Sequence, residues 1–210
     1  MRGRYSAVNS ILQETELLKR RCFGVLCLAG AVALACTTMQ GQQQKLVLDT
    51  EKSEVHFKLT DTLHTVNGTF HVQQGEINFN PTDGRAGGAV VVDALSGKSG
   101  NSTRDHRMTK DELKAQDYKT ISFAPTQFTG TLKADGDSNL QVHGVFTLLG
   151  EAHEIDVPMQ VQVNGSQIYA VGTFAVPYVK WGLKDPSMFA IKASKEVQID
   201  LSLMGSLMMR

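Results

Sequence analysis

The run Ile155-Asp156-Val157-Pro158-Met159-Gln160-Val161-Gln162-Val163 places an apolar residue at every second position. After Asn164-Gly165-Ser166 the same spacing returns in Ile168, Ala170, Gly172, Phe174 and Val176. Successive strand side chains point to opposite faces, so each run carries one greasy and one wet face, and Asn-Gly between two such runs marks a tight hairpin. Outward from this hairpin the pattern repeats in Val55-Phe57-Leu59, in Val66-Gly68-Phe70-Val72, in Leu140-Val142-Gly144-Phe146-Leu148 and in Val197-Ile199-Leu201-Leu203. The chain is therefore all-β from about Leu46 to Leu203. A sheet this long with one greasy side packs on a second layer or closes on itself. A closed sheet with an unfilled interior is a container for something oily.

Turn chemistry separates the strands: Asn80-Pro81-Thr82-Asp83-Gly84, Asp135-Gly136-Asp137 and Leu149-Gly150-Glu151 each tolerate positive φ or preset a bend. Asn67-Gly68 sits inside a continuous alternation and reads as a bulge or kink in a long curved strand. The exception to the β pattern runs from Asn101 to Asp117. There Thr109-Lys110-Asp111-Glu112 fits a capping box that opens a short helix over Lys110 to Gln116, a lid-like excursion over one mouth.

With 41% hydrophobic and 20% charged residues in 210, the composition supports one substantial core. Its 21 basic and 21 acidic residues cancel, but before Cys36 five cations stand against Glu14 and Glu16. The remainder is thus mildly acidic, without the basic stripe that phosphate neutralisation requires, and nucleic acid is not an expected partner. Lys19-Arg20-Arg21, an apolar run from Cys22 and the small residues ending at Ala35 form the three parts of an export signal. The apolar run is about 15 residues, short of the roughly 20 that span a bilayer. Residues 1–44 are therefore read as extension, export signal and polar tether, and 45–205 as the folded domain. Cys22, Cys27 and Cys36 all precede that domain, which has neither disulfide nor thiol nucleophile. Ala33-Leu34-Ala35-Cys36 resembles a degenerate lipoprotein box, making Cys36 a candidate for lipidation and a membrane tether. The expected location is periplasmic or secreted.

None of the six histidines forms a zinc-binding spacing, no Gly-x-Ser-x-Gly elbow occurs, and Gly84 to Gly88 lacks the Lys-Ser/Thr of a phosphate loop. No metal or cofactor is expected. His56 and His143 oppose the apolar parity and face solvent, whereas His64 shares the parity of Val66, which opens an interior or rim position, although the favoured reading is a side chain that hydrogen-bonds a neighbouring carbonyl. Arg104 and Asp105 read as a cap and an ion pair holding the excursion. An enzymatic alternative joins His64, Arg104 and Asp105, and another treats the barrel as filled and the chain as an envelope interaction protein. Val176 to Pro186, bracketed by Pro177 and Pro186, cannot be an ordinary central strand and holds the only tryptophan, Trp181.

The order of motifs is similar to the YceI-like family of exported bacterial proteins. It begins with Val55-x-Phe57, His64-x-Val66-x-Gly68-x-Phe70 and Gly75-x-Ile77-x-Phe79. It continues through Val91-Val92-Asp93-Ala94-x-Ser96, Asn101-x-x-Arg104-Asp105, Ile121-x-Phe123 and Val142-x-Gly144-x-Phe146-Thr147-Leu148-x-Gly150. The resemblance implies an extended antiparallel lipocalin-like barrel, polyisoprenoid or other long amphiphilic ligands in an apolar tunnel, and a periplasmic setting linked with stress responses. Leu149 stands where the family often has His, and Thr120 where it usually has Pro. By parity the expected ligand-binding residues are Phe57, Leu59, Phe70, Phe79, Val92, Phe123, Phe146 and Phe174, with Trp181 at a mouth. The reading is a non-catalytic binding protein for a long hydrophobic or amphiphilic ligand, with a dimer as a compatible assembly. Affinity would come from burial at about 25 cal/mol per Å².

Overall fold

The computed structural model describes residues 43–187 and 192–209. The export segment, the three cysteines and most of the tether lie outside the described residues. Nine strands follow in order: β1 (Gln44–Leu48), β2 (Glu54–Thr60), β3 (Thr65–Phe79), β4 (Ala86–Asp93), β5 (Thr120–Thr129), β6 (Gly136–Leu148), β7 (Glu151–Asn164), β8 (Gln167–Val176) and β9 (Val197–Met209). Each of β2 to β8 pairs antiparallel with its successor in the chain, and β9 pairs back onto β2, which closes an eight-stranded barrel.

β1 is the missing half of β2. It lies between β3 and β9 beyond the point where β2 leaves them, pairing Gln44 with Phe79 and with Met209. The chain steps out between the halves at Asp49 to Ser53, where side-chain bonds replace part of the ladder. The Met204 N–H donates to Ser53 Oγ at 3.1 Å, and the Ser53 hydroxyl donates back to the Met204 carbonyl at 3.2 Å.

Along β7 the alternation is obeyed residue by residue: Val157, Met159, Val161 and Val163 are buried, and Asp156, Pro158, Gln160 and Gln162 are exposed. Asn164-Gly165 lies in the expected β7–β8 hairpin. Two bulges adjust the phase elsewhere. In β3 the register slips between Val72 and Gln74, so Val66, Gly68, Phe70 and Val72 share the inner face with Gly75, Ile77 and Phe79 despite the change of parity. In β5 it slips between Pro125 and Gln127, which turns Phe128 inward with Phe123 and Pro125. The irregularity in β3 is thus at Gln73 and not at Asn67-Gly68, where Gly68 stays in register opposite Phe57.

The helix begins earlier than the capping box predicts. Asn101 caps α1 (Ser102–Arg107) by accepting from the Arg104 N–H at 3.0 Å, and a wider turn, Met108–Glu112, continues it. The Thr109 hydroxyl is not a cap. It donates to the carbonyls of Asp105 and His106, because Thr109 lies one turn into an already formed helix.

Candidate functional site

The barrel encloses an apolar cavity of about 200 Å³ whose wall draws on every strand. Leu48, Val55, Ile77, Phe79, Val90 and Val92 form one side. Phe123, Val142, Val157, Val161, Ala170 and Leu203 form the other. Among the described residues, Ser122 is the one lining residue with a polar side chain. A polar guest group here would give up its hydrogen bonds to water without replacement, so the space suits hydrocarbon.

A second cavity of about 540 Å³ shares Phe70, Ile121, Phe146 and Ile199 with the first, so the two abut along the barrel axis across these four side chains. Phe57, Leu59, Val66, Leu148 and Val197 carry the apolar wall outward. At the mouth the lining changes to Asp61, Ser99, Asn101, Thr103, Arg104, Arg107, Glu112 and Lys184. The interior therefore grades from a dry end to a charged end.

Ser99 is the anchor of the mouth wall. The buried Asp105 carboxylate accepts from its backbone N–H at 2.8 Å and from its hydroxyl, and the hydroxyl bond foremost holds the Asp105 carboxyl below the usual range. Arg104 donates from Nε to Ser99 Oγ and from a terminal nitrogen to the Ser99 carbonyl, both at 2.7 Å. Arg104 and Asp105 are joined through Ser99, so in place of the expected cap and ion pair they form a shared clamp, and the cap of α1 is Asn101. Asp61 accepts from the N–H groups of Leu63 and His64, each at 2.7 Å, which keeps its carboxyl low. Glu112 goes the other way: burial pushes its carboxyl up, although nearby Lys184 and Arg107 pull down.

The residues expected from parity fall along these cavities, with one exception. Phe79, Val92, Phe123 and Phe174 line the inner cavity, Phe57 and Leu59 the outer, and Phe70 and Phe146 both. Trp181 lines neither. Its ring stacks flat on His153, with centroids 4.0 Å apart and planes 4° apart, and leans on Phe146 at 5.8 Å. Local chemistry accounts for this placement. Pro158 has no N–H, and the β7–β8 ladder stops at Met159 and Gly172, so the stretch of β7 that carries His153 has no β8 partner. Trp181 covers part of that stretch.

His64 is exposed and stands 3.4 Å from Asp61, so it does not reach the interior that its parity suggests. Among the described residues no hydrogen bond links it to Arg104 or Asp105, and no group of three or more His, Cys, Asp or Glu is placed to hold a metal. His56 and His143 bond to surface carboxylates, Glu54 and Asp156. Parity could also have supplied Val142, Val161, Ala170 and Leu201, which share the inward face of strands already recognised. Arg107, Glu112 and Lys184 carry no periodic signal, because their approach depends on two loops far apart in sequence.

The model of the YceI-like domain matches residues 46–204, and the chain belongs to that family. Among solved structures it is similar to Burkholderia cenocepacia BcnA, at 22% identity over 75% of this chain and 98% of that one, with a TM-score of 0.61. It is likewise similar to a polyisoprenoid binding domain from Saccharophagus degradans implicated in plant cell wall breakdown. That similarity is at 19% identity over 77% and 97% of the two chains, with a TM-score of 0.61. At these identities the likeness is one of fold. No curated protein matches.

Proposed function

We propose, with membership of the YceI-like family as the premise, that this chain is a non-catalytic binding protein that holds one long apolar or amphiphilic molecule in its barrel. The observation that carries the reading is the pair of abutting cavities, apolar at depth and polar only toward the mouth. Burial of a hydrocarbon tail supplies affinity at about 25 cal/mol per Å² with little directional recognition, so the preference is for chain length and flexibility. The polyisoprenoid binding domain from Saccharophagus degradans supports an isoprenoid- or lipid-like guest.

The same proposal places the protein outside the cytoplasm. Lys19 to Ala35 supports export, and Cys36 is a site for lipid attachment to the envelope, where lipid handling under stress is a fitting role. Native mass spectrometry of the full chain purified from its own envelope, with organic extraction, is the test. A copurifying lipid-sized mass is expected. A protein that yields no such mass and takes up no hydrophobic probe refutes the container reading.

A further inference from the structure

We infer that the mouth end of the barrel docks on an anionic lipid bilayer, with Leu63 and Leu95 seated in the bilayer and exposed lysines held against its surface. The inference concerns the outer surface and stands apart from the container reading.

Charge is divided unevenly over the folded chain. The segments 98–119 and 180–195 carry ten Lys and Arg against five Asp and Glu, whereas the rest of residues 43–209 carries five against fourteen. Both segments supply walls of the outer cavity, so the positive excess lies at the mouth end. Lys110, Lys114, Lys119 and Lys180 are exposed there. Among the described residues, no lysine or arginine of the two segments makes a salt bridge, while Lys45, Lys52 and Arg85 elsewhere do. A face of unpaired cations on an otherwise acidic domain attracts an anionic surface and orients the molecule toward it.

Apolar side chains stand among these cations. Leu63, at the tip of the turn between β2 and β3, is 67% exposed. Asp61 fixes that turn by accepting from the N–H groups of Leu63 and His64, so the leucine is held outward. Leu95, 43% exposed, follows β4 beside the bond from the Ala94 N–H to the Lys119 carbonyl at 3.0 Å. A leucine at a loop tip beside lysines suits a bilayer interface, where the apolar group enters the acyl boundary and the ammonium stays among the head groups. A soluble polyanion would answer the lysines and leave both leucines in water.

Tryptophan fluorescence of the full chain on vesicles of brominated phosphatidylglycerol or brominated phosphatidylcholine tests the assignment. Trp181, the only tryptophan, follows β8 at the mouth end. The chain enters the barrel at the other end of the 15-residue β3, where Gln44 pairs with Phe79. Attachment by the N-terminal segment alone therefore holds the opposite end, roughly 35 Å away along the axis of a tilted barrel. Quenching should appear on phosphatidylglycerol, fade in high salt and be slight on phosphatidylcholine. Lys110→Gln, Lys119→Gln and Lys180→Gln together should weaken vesicle affinity about hundredfold, at about fivefold per lysine, and Lys133→Gln between β5 and β6 at the far end should not. Leu63→Gln with Leu95→Gln should weaken it about tenfold and leave its salt dependence in place. None of these residues lines a cavity, so uptake of a hydrophobic probe should be unchanged. No quenching on phosphatidylglycerol, equal quenching on the two lipids, or an equal loss from Lys133→Gln would overturn the inference. Wild-type docking by the leucine pair would mean that the face reads charge alone, and would overturn the bilayer in favour of a soluble polyanion. A chain that docks yet takes up no probe would refute the container and leave this inference standing.

Discussion

The Phe57 ring occupies the place that a side chain on Gly68 would take: the two are paired across β2 and β3, and a Cβ on Gly68 would come within 2.3 Å of Phe57 Cζ. The relationship recurs. A Cβ on Gly144 would meet the Phe123 ring at 2.7 Å, one on Gly97 the Phe70 ring at 2.7 Å, and one on Gly172 the Met159 sulfur at 2.3 Å. Large inner side chains fold over glycines on the wall, so aromatic mass is held against the wall and the lumen is kept.

Gly68→Ala should therefore push Phe57 into the outer cavity, at a cost of about 1–3 kcal/mol typical of overpacking. Chemical denaturation measures the loss, and long-chain uptake should fall with it. Adding Phe57→Leu should recover only part of the stability, because the Lys98 carbonyl also lies 2.3 Å from the built Cβ.

Ala170 lines the inner cavity from β8. Ala170→Phe should fill that space at a cost of about 1–3 kcal/mol and leave the barrel closed. Uptake of long chains should drop sharply while short-chain probes still enter the mouth. Undiminished long-chain binding in a folded variant would place the guest elsewhere.

Ser53 is buried, and its hydroxyl satisfies both backbone polar groups of Met204 where the ladder between β1 and β2 is interrupted. Ser53→Ala strands the Met204 N–H, which costs about 1–3 kcal/mol if water cannot reach it, while the Met204 carbonyl keeps its bond from the Asp49 N–H at 2.8 Å. Equilibrium unfolding should show the loss, and hydrogen exchange should show the Met204 amide losing protection first.

Tyr178 is buried, and its hydroxyl donates to the Ser194 carbonyl at 2.7 Å. Burial, and then the charges of Asp185 and Glu112, push its pKa up to about 12 from 10.0. The folded state thus holds the phenol proton more tightly than the unfolded chain. Its stabilisation is complete below pH 10.0 and is lost as pH rises toward about 12, by roughly 3 kcal/mol. Tyr178→Phe should remove that alkaline dependence and cost about 1 kcal/mol at neutral pH through the lost hydrogen bond.

Trp181 lines neither cavity and packs on His153 and Phe146. Trp181→Ala should destabilise the barrel by about 2–4 kcal/mol, less than a fully buried aromatic, with the affinity of the inner cavity nearly preserved. Phe146→Ala, which removes wall from both cavities, should change affinity as well as stability.

Some of this was legible from residues near one another in sequence. Period-two alternation is a local property, so it identified the strands, the Asn164-Gly165 turn and the inward set that includes Phe70, Phe123 and Phe146. The helix starts ahead of the sequence expectation because Thr109-x-x-Glu112 imitates a cap, whereas Asn101 reaches the free N–H groups first. The contact of Trp181 with His153 and Phe146 is not legible in sequence, because its bracketing prolines mark an irregular segment without saying what the segment covers.

The sequence by itself determined that the alternating runs between Leu46 and Leu203 would enter strands with one apolar face, since a strand's two faces follow from the chain's own pleat. Only the tertiary structure decided that β9 returns to β2, that bulges at Gln73 and Thr126 keep the apolar face inward, and that Arg107 and Lys184 meet at one mouth. Those outcomes depend on closing a ring among segments far apart in the chain, where a one-residue slip reverses every side chain and no local pattern records the correction.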